Sequence, residues 1–348
     1  MREDIAIGWN GLPAYGARLI KAAQDDVGAF PVLATRPAVP IEGMEAILGR
    51  PVHWMDEDAR PRWSDFGLKI PKIYFQTGWG HVPFNALGAE VRANGGKVVA
   101  MVDNPWKRTL RQMIGALVFR FKYRNHFSAI MVPGKRARQL CRIFGVPHER
   151  IYEGMYGGDP EIFKASTALN ERSKRFIFVG QFIERKGVLE LAEAFRQLGN
   201  AARDWSLLMV GSGPLEAQLR DYSSIEIRPF AQPDQIATLL ADSRCLVLPS
   251  LEEHWGLVVH EAALSGCQLV LSHAVGAGSD LLEHGLNGFG FKAVTADEIA
   301  EALKCVIAQN DSDYSCGSEY SLECAKAYGP ARWADEFNRI LDSLEMKF

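Results

Sequence analysis

Two glutamates with a glycine between them form the part of this chain best suited to bind a polar ligand. Glu253 and Glu261 lie eight positions apart, and Gly256 stands between them. An apolar run at residues 245–248 predicts a buried strand before this segment, and the apolar pattern from Leu257 onward predicts a helix after it. A loop that joins such a strand to such a helix lies at the carboxyl edge of a parallel sheet, where the first helical amides are unpaired.

The chemistry of this segment is that of an anion site with a hydroxyl acceptor on either side. The amides of Leu257 and Val258 and the positive end of the helix dipole favour phosphate. A carboxylate beside a phosphate is repelled, so Glu253 and Glu261 are better suited to accept hydrogen bonds from hydroxyls. A sugar nucleotide carries hydroxyls on both sides of its diphosphate, and the segment therefore predicts a sugar-nucleotide site. The alternative is a pair of solvated surface glutamates.

Segment 249–270 resembles the Glu-x7-Glu signature of the retaining GT-B glycosyltransferases of family four, the glycosyl transferases group 1. Three further blocks extend the resemblance in the same order over about 110 residues: FVGQFIERKG (178–187), MVGSGP (209–214) and GLNGF (285–289). The resemblance implies two Rossmann-like α/β domains facing across a cleft, and transfer of a sugar with retention of configuration. It also implies that Glu253 faces the donor sugar and that Glu261 faces the ribose hydroxyls.

A basic turn follows the strand predicted in the first of these blocks. Lys186 comes soon after the glycine that ends the strand, Gly180, and its ammonium can bind a diphosphate and stabilise the charge that grows on the leaving group. Family members usually carry an arginine directly after that glycine, whereas this chain has Gln181. Arg185 is a candidate for supplying the missing charge, but its side chain could equally point to solvent.

Two further loops are expected near the nucleoside end of the donor. Gly211 follows a predicted strand, and a glycine there either lets the backbone approach the nucleotide or only forms a tight turn. Phe230 ends the next predicted strand, where the resemblance places the nucleobase. The alternative for Phe230 is an ordinary core phenylalanine.

The N-terminal half carries fewer residues suited to chemistry. The resemblance aligns the loop from Gly11 to Gly16 with the glycine loop that approaches the donor phosphates. Asp103 ends a predicted strand where many relatives carry a histidine. An aspartate there can bind a sugar hydroxyl or position an acceptor, but an ionised one cannot donate a hydrogen bond. His81 is a second polar candidate at a strand end, although a lone histidine is more often structural.

The composition is that of a soluble globular protein large enough for two domains. The chain has 348 residues, of which 47% are hydrophobic and 23% are charged. It has no run of 18 apolar residues and no long apolar secretory region, and its six cysteines are scattered without paired spacing. These observations favour a cytoplasmic protein with reduced, mostly buried thiols. No metal-site spacing is visible in the sequence.

Positive charge is concentrated in the N-terminal half. Residues 1–160 carry 22 Lys and Arg against 15 Asp and Glu, and residues 104–148 hold ten basic residues and no acidic one. A helix in that segment could lie on an anionic membrane surface. The alternatives are a core helix with a solvated basic face and, without a recognised motif to support it, nucleic-acid binding. The apolar residues expected on one helix face are Trp106, Leu110, Met113, Leu117 and Phe121.

Strand and helix patterns alternate in both halves and predict doubly wound parallel sheets. The predicted strands are residues 4–9, 72–76, 97–102, 129–132, 176–179, 207–210, 225–227, 245–248 and 268–271. The predicted helices are residues 17–24, 188–197, 215–222, 234–241, 257–265 and 332–344. A break at residues 157–160 and a polar stretch at 166–174 predict a linker. Domains are therefore expected at 1–160 and 161–330, and by resemblance residues 331–348 pack back on the first.

These observations predict a retaining, metal-independent hexosyltransferase that uses a nucleotide-sugar donor and a glycan or lipid-linked acceptor in cell-envelope polysaccharide synthesis. The resemblance implies that no cofactor is needed, because Lys186 and the amides near Gly256 replace a divalent cation and the leaving diphosphate helps deprotonate the acceptor. Glu253, Lys186 and Asp103 are the expected catalytic residues. We expect a cytoplasmic protein that binds no nucleic acid and associates peripherally with the inner face of the membrane. The alternatives are a sugar-nucleotide epimerase, a phosphorylase of the same fold, or a non-catalytic donor-binding subunit.

Overall fold

The computed structural model describes residues 2–37, 43–106 and 109–345. The chain forms two compact units. Unit 1 contains the residues up to Gly157 together with those from Tyr328 onward, and unit 2 contains Gly158–Ala327. The polar stretch 166–174, which the sequence assigned to a linker, lies inside unit 2, and its Arg172 is buried.

Unit 1 is built on a seven-stranded parallel sheet with the order β3-β2-β1-β4-β5-β6-β7. The strands are β1 (Ile5–Trp9), β2 (Val32–Ala34), β3 (His53–Trp54), β4 (Ile73–Thr77), β5 (Lys97–Met101), β6 (Ala129–Val132) and β7 (Ile151–Glu153). The helices are α1 (Ala14–Val27), α2 (Met44–Leu48), α3 (Val82–Ala93), α4 (Leu110–Val118) and α5 (Lys135–Ile143), with a π-helical turn at Phe119–Tyr123 directly after α4.

Two apolar clusters form the core of unit 1, one on each face of its sheet. Alternate residues of β1 enter different clusters, as the two-residue period of a strand requires. The last helix of the chain, Pro330–Glu345, belongs to one of these clusters. Its Phe337 stacks on Phe30 at 5.4 Å and on Phe75 at 4.3 Å between ring centroids. The C-terminal helix is therefore part of the core of unit 1.

Unit 2 is built on a six-stranded parallel sheet with the order β10-β9-β8-β11-β12-β13. The strands are β8 (Ser173–Val179), β9 (Ser206–Val210), β10 (Ile225–Arg228), β11 (Ser243–Leu248), β12 (Gln268–Ser272) and β13 (Gly288–Phe291). The helices are α6 (Val188–Leu198), α7 (Glu216–Leu219), α8 (Pro233–Asp242), α9 (Leu257–Leu264), α10 (Gly278–Leu281), α11 (Ala296–Ile307) and α12 (Asp311–Ala325), and the helix Pro330–Glu345 of unit 1 is α13.

The prediction of two doubly wound parallel sheets is confirmed, with differences in single elements. The helix predicted at 215–222 is only the single turn Glu216–Leu219. Strand β13 was missed because its sequence, GFGF, places glycines where the alternating pattern needs side chains. Helix α12 was missed because its sequence is polar around most of its circumference. The expectation of mostly buried cysteines holds for Cys141, Cys245 and Cys267, whereas Cys305 and Cys316 are exposed.

The strand order reverses once in each sheet, between β1 and β4 in unit 1 and between β8 and β11 in unit 2. Doubly wound sheets bind ligands at the carboxyl ends of the strands at such a switch point. The loops that follow these four strands are therefore where functional side chains are expected. Among the described residues, no helix combines the length and the apolar character that crossing a membrane requires.

Candidate active site

The switch point of unit 2 brings together Lys186 and Glu253, which are distant in sequence. Lys186 ends a 3₁₀ turn, Glu184–Lys186, in the loop after β8, and Glu253 lies in the loop after β11. The Lys186 ammonium donates a hydrogen bond to a carboxylate oxygen of Glu253. Both side chains are mostly buried, with exposed fractions of 13% and 16%. A buried ion pair of this kind is held in one geometry, which is what a binding site requires of its charged groups.

Helix α9 begins beside this ion pair. Its N-cap residue, Gly256, has φ +88°, a left-handed conformation that side chains rarely adopt, and a Cβ there would lie 3.1 Å from Cγ of Glu253. Gly256 has no side chain with which to cap the helix. The amides of Leu257 and Val258 therefore lack intrahelical partners at a helix start that adjoins Glu253 and so lies near Lys186. The Lys186 ammonium, the Glu253 carboxylate and the positive end of the α9 dipole therefore lie close together.

Glu261 lies two turns into α9, in more enclosed surroundings than Glu253. Its Cγ lies 3.0 Å from where a Cβ on Gly158 would be, so any larger residue there would crowd it. Burial of the carboxyl raises the pKa of Glu261 to about 8, although part of the residue reaches solvent. A carboxyl in such a position is costly to ionise, which is typical of functional sites rather than of a solvated helix surface.

His260 fixes the helix that carries Glu261. Its Nδ1 accepts a hydrogen bond from the amide of Gly158 at 2.8 Å, so the proton sits on Nε2, which donates to the carbonyl of Ala325 at 2.8 Å. Burial lowers the pKa of His260 to about 4, so the ring is neutral near pH 7 and this tautomer is maintained. His260 therefore holds the beginning and end of unit 2 against α9.

The loop after β12 supports the segment that carries Glu253. The amide of Gly276 donates to the carbonyl of Glu253 at 3.1 Å, and the amide of Ala277 donates to the carbonyl of Trp255 at 2.8 Å. A Cβ on Gly276 would lie 1.9 Å from the carbonyl oxygen of His254, far inside contact distance. Gly276 is thus required for the close approach that positions Glu253.

The loops after β8 and β9 pack backbone against backbone. The amide of Phe182 donates to the carbonyl of Ser212 at 2.8 Å, and a Cβ on Gly211 would lie 1.9 Å from the carbonyl oxygen of Gly180. This close packing accounts for a glycine at position 211 without a ligand. Gln181 is exposed beside it. Contact of these residues with a nucleotide stays a prediction.

Arg185 lies farther from the Glu253 carboxylate than Lys186 does. Its guanidinium donates to the carbonyl of Glu252 at 2.6 Å and lies 3.9 Å from the Glu253 carboxylate, while 43% of its side chain is exposed. Arg185 therefore borders the site on its solvent side. Phe230, at the end of β10, is 39% exposed, so it is not the core phenylalanine of the alternative interpretation.

In unit 1, the switch point is organised by threonine hydroxyls that the sequence analysis missed. The amide of Gly11 donates to Oγ1 of Thr35 at 2.6 Å, and the amide of Asn10 donates to Oγ1 of Thr77 at 2.6 Å. The expected loop from Gly11 to Gly16 is wrong at its far end, because α1 begins at Ala14 and Gly16 is helical. A Cβ on Gly16 would lie 3.1 Å from Trp9, so this glycine serves packing.

Asp103 accepts a hydrogen bond from Oη of Tyr156 at 3.1 Å, at the carboxyl edge of the sheet of unit 1. Burial and the nearby Asp103 raise the pKa of Tyr156, so the phenol stays protonated and can donate. His81 is the N-cap residue of α3 and folds over Gly78, where a Cβ would lie 2.6 Å from its ring. Burial lowers the pKa of His81, and this packing favours a structural role.

Residues 159–320, almost the whole of unit 2, match the family model described as glycosyl transferases group 1. Unit 2 is therefore similar to this family over almost its whole length. Glu253, Glu261, Lys186 and the start of α9 all lie within the matched residues.

Characterised and uncharacterised glycosyltransferases are similar to about half of the chain. An uncharacterized glycosyltransferase of Methanocaldococcus jannaschii is 25% identical over 51% of this chain and 50% of that protein. The N-acetyl-alpha-D-glucosaminyl L-malate synthase of Bacillus anthracis is 28% identical over 49% of this chain and 46% of that protein. The chain thus spans about half the length of these relatives.

The fold of the whole chain is that of GT-B glycosyltransferases. The crystal structure of Anabaena HepE in complex with UDP and glucose matches it with a TM-score of 0.72 at 16% identity, covering 97% of this chain and 100% of that one. At this identity the likeness concerns the fold alone. The fold class predicted from the sequence is confirmed.

Several positioning residues were not found from the sequence. His260 and Gly276 act through hydrogen bonds to residues far away in sequence, which no local periodicity reveals. A signal for His260 did exist, because it is a polar residue on the buried side of the helix that carries Glu261. Tyr156 had no such signal.

Proposed function

We propose that this chain transfers a hexose-type sugar from a nucleotide-sugar donor to a glycan or lipid-linked acceptor, with retention of anomeric configuration and without a metal. The observation that carries the proposal is the meeting of Lys186, Glu253 and the start of α9 at the switch point of a group 1 unit. An ammonium and unpaired helix amides suit a diphosphate, and a carboxylate between them suits a sugar hydroxyl.

Lys186 would neutralise the charge that develops on the leaving diphosphate, together with the amides of Leu257 and Val258. Glu253 would accept a hydrogen bond from a hydroxyl of the donor sugar. Lys186 and the amide of Gly276 hold it in place. Glu261 would accept hydrogen bonds from the ribose hydroxyls. Positioning and electrostatic stabilisation of this kind are each worth about 10²–10³ in rate.

Exposed Phe230 is available to stack on the nucleobase. Gly180, Gln181 and Gly211 would contact the nucleotide through their backbone. In unit 1, Asp103 would bind an acceptor or donor-sugar hydroxyl, held in place by Tyr156. The name of the solved HepE complex, with UDP and glucose, makes UDP-sugars the first donors to test. The basic segment of unit 1 supports a lipid-linked acceptor, as in cell-envelope polysaccharide synthesis, at the cytoplasmic face of a membrane.

A thermal-shift screen with UDP-, GDP-, ADP- and dTDP-sugars tests the proposed donor site. A ligand at 100 times its dissociation constant stabilises the fold by about 2.7 kcal/mol, so one nucleotide class should raise Tm clearly. Lys186→Ala should remove most of the shift given by the diphosphate but not that given by the bare nucleoside. Arg185→Ala, in the same turn, should lose much less, because its guanidinium binds a backbone carbonyl. The absence of a shift with every donor would contradict the proposal.

The alternative enzymes differ in their products. An epimerase would convert the sugar nucleotide without releasing the diphosphate, and a phosphorylase would release a sugar phosphate when given orthophosphate. A non-catalytic subunit would give the thermal shift without turnover.

A further inference from the structure

Helix α4 and the π-helical turn after it expose a continuous row of large apolar side chains. Six of the twelve exposed large hydrophobic residues in the described part of the chain lie within this one stretch. The exposed fraction reaches 77% at Leu110 and 84% at Phe121. We call this surface the α4 face; its apolar residues are Leu110, Met113, Ile114, Leu117, Val118 and Phe121.

The helix is anchored on unit 1 with this face outward. Thr109 caps α4 by accepting a hydrogen bond from the amide of Gln112 at 3.3 Å, and Nε2 of Gln112 donates to the carbonyl of Pro105 at 2.7 Å. Ala116 and Phe119 are buried, and Phe119 stacks on Phe144 at 4.7 Å. At about 100° per residue, the apolar residues of α4 itself fall within roughly 140° of arc, opposite this buried side.

Trp106 does not belong to this surface, contrary to the sequence-based expectation. It is partly buried against one of the two core clusters of unit 1. Ile114 and Val118 replace it, with exposed fractions of 62% and 43%. The outward face is therefore more uniformly aliphatic than the sequence analysis expected.

Exposed cations border the α4 face. Residues 104–148, the segment that contains it, have no carboxylate side chain. Arg111 adjoins the face in the first turn, and Arg120, Lys122 and Arg124 adjoin its C-terminal end. Two of the ten cations of this segment, Lys107 and Arg108, lie outside the described residues. An apolar stripe with cationic borders is the pattern of a helix that lies in a membrane interface.

We propose that the α4 face docks unit 1 on an anionic lipid bilayer, with its apolar row at the boundary of the acyl chains and its cations among the lipid phosphates. The positive charge beside the α4 face favours a bilayer over a second copy of the chain. A second copy of the chain would bring the same cations to the same face, and like charges would oppose that contact. A bilayer supplies both the negative charge and an apolar layer.

The docking surface leads to the carboxyl edge of the unit 1 sheet. Asp103 follows β5, and Gln112 in the first turn of α4 holds the carbonyl of Pro105, two residues beyond Asp103. The head group of a lipid-linked acceptor in the docked bilayer would therefore approach Asp103 and Tyr156. This last step rests on the proposed transferase function, whereas docking itself does not.

Vesicle sedimentation of the full chain measures docking without any turnover. Wild-type protein should bind phosphatidylglycerol vesicles at low salt, bind phosphatidylcholine vesicles much more weakly, and dissociate as salt rises. Each cation is worth about fivefold in partitioning, so Arg120→Ala with Lys122→Ala should reduce binding about 25-fold. Leu117→Glu with Phe121→Glu should reduce it roughly 100-fold, because two large side chains no longer leave water.

Matched controls are Ile70→Glu and Lys69→Ala, at exposed positions before the amino end of β4, which should change binding less than twofold. Circular dichroism of each variant excludes misfolding as the cause. Equal binding to neutral vesicles, equal losses in the controls, or a dimer in sedimentation velocity that Leu117→Glu dissolves would overturn the proposal. Donor turnover without vesicle binding would refute docking alone, and vesicle binding without turnover would refute the transferase alone.

Discussion

At the scale of single residues, the two glutamates of the site differ in partner and in environment. Glu253 is paired with Lys186 and held by the backbone of Gly276, whereas Glu261 is enclosed beside Gly158 with a pKa raised to about 8. From the sequence, both were expected to accept hydrogen bonds from hydroxyls, Glu253 at the donor sugar and Glu261 at the ribose. In the structure, Glu253 is part of a charged cluster, whereas burial raises the pKa of the Glu261 carboxyl.

These environments predict separable effects of Glu253→Gln and Glu261→Gln. Glu253→Gln should lower turnover about 10²–10³-fold with little change in affinity for the nucleoside diphosphate. Above pH 8, where the native carboxyl is ionised, Glu261→Gln should weaken nucleotide binding by about 1.5–3 kcal/mol, the value of a hydrogen bond to a charged group. Calorimetry for affinity and initial rates for turnover separate the two.

The loss in Glu261→Gln should also depend on pH. An acid with a raised pKa is protonated below that pKa, so near pH 6.5 the native carboxyl is mostly neutral and resembles the amide. Above pH 8 it is ionised and the difference should be largest. The sugar nucleotide is the suitable ligand for this measurement. Because its diphosphate is esterified at both ends, the charge of the ligand stays constant over this pH range. Unchanged affinity in both variants at pH 9 would remove the assignment.

At the scale of elements, the site depends on close contacts between loops rather than on the helices alone. The loop after β12 reaches the loop after β11 only because residue 276 lacks a side chain. Strand and helix patterns could be predicted from apolar periodicity, and most strands were found within a few residues. Contacts between loops from distant strands have no period, so Gly276 could not be found in the same way.

Gly276→Ala should therefore damage both the fold and the site. Its Cβ would overlap the carbonyl oxygen of His254, and relief of that overlap would displace the neighbouring Glu253. Overpacking of this kind costs about 1–3 kcal/mol, and the displacement should lower turnover as well. Denaturant unfolding and initial rates measure the two effects.

Gly278→Ala is the matched control two residues later, where the nearest atom to a new Cβ is a Leu271 side-chain carbon at 3.4 Å. It should leave both stability and turnover close to wild type. Equal behaviour of the two variants would show that the contact between these loops does not position Glu253.

At the scale of the whole molecule, the fold could be predicted because four sequence blocks of unit 2 keep a recognisable order. The donor-side role of the residues in these blocks stays a prediction. Unit 1 offered no comparable blocks. Its hydroxyl network at Thr35 and Thr77, the Asp103–Tyr156 hydrogen bond and the outward side of α4 depend on tertiary contacts, which local patterns do not encode. The position of Trp106 illustrates this, since its place on the helix face was inferred from spacing and is wrong.

Proton NMR of donor turnover in excess chelator, with the sugar nucleotide selected by thermal shift, tests the proposed transfer directly. We expect release of the nucleoside diphosphate, and a sugar product or slow hydrolysis product that first appears with the anomeric configuration of the donor. Lys186 and the start of α9 supply the positive charge, so chelator should not abolish the reaction. Inverted configuration, an epimerised sugar nucleotide, or turnover that requires added magnesium or manganese would contradict the proposed transfer.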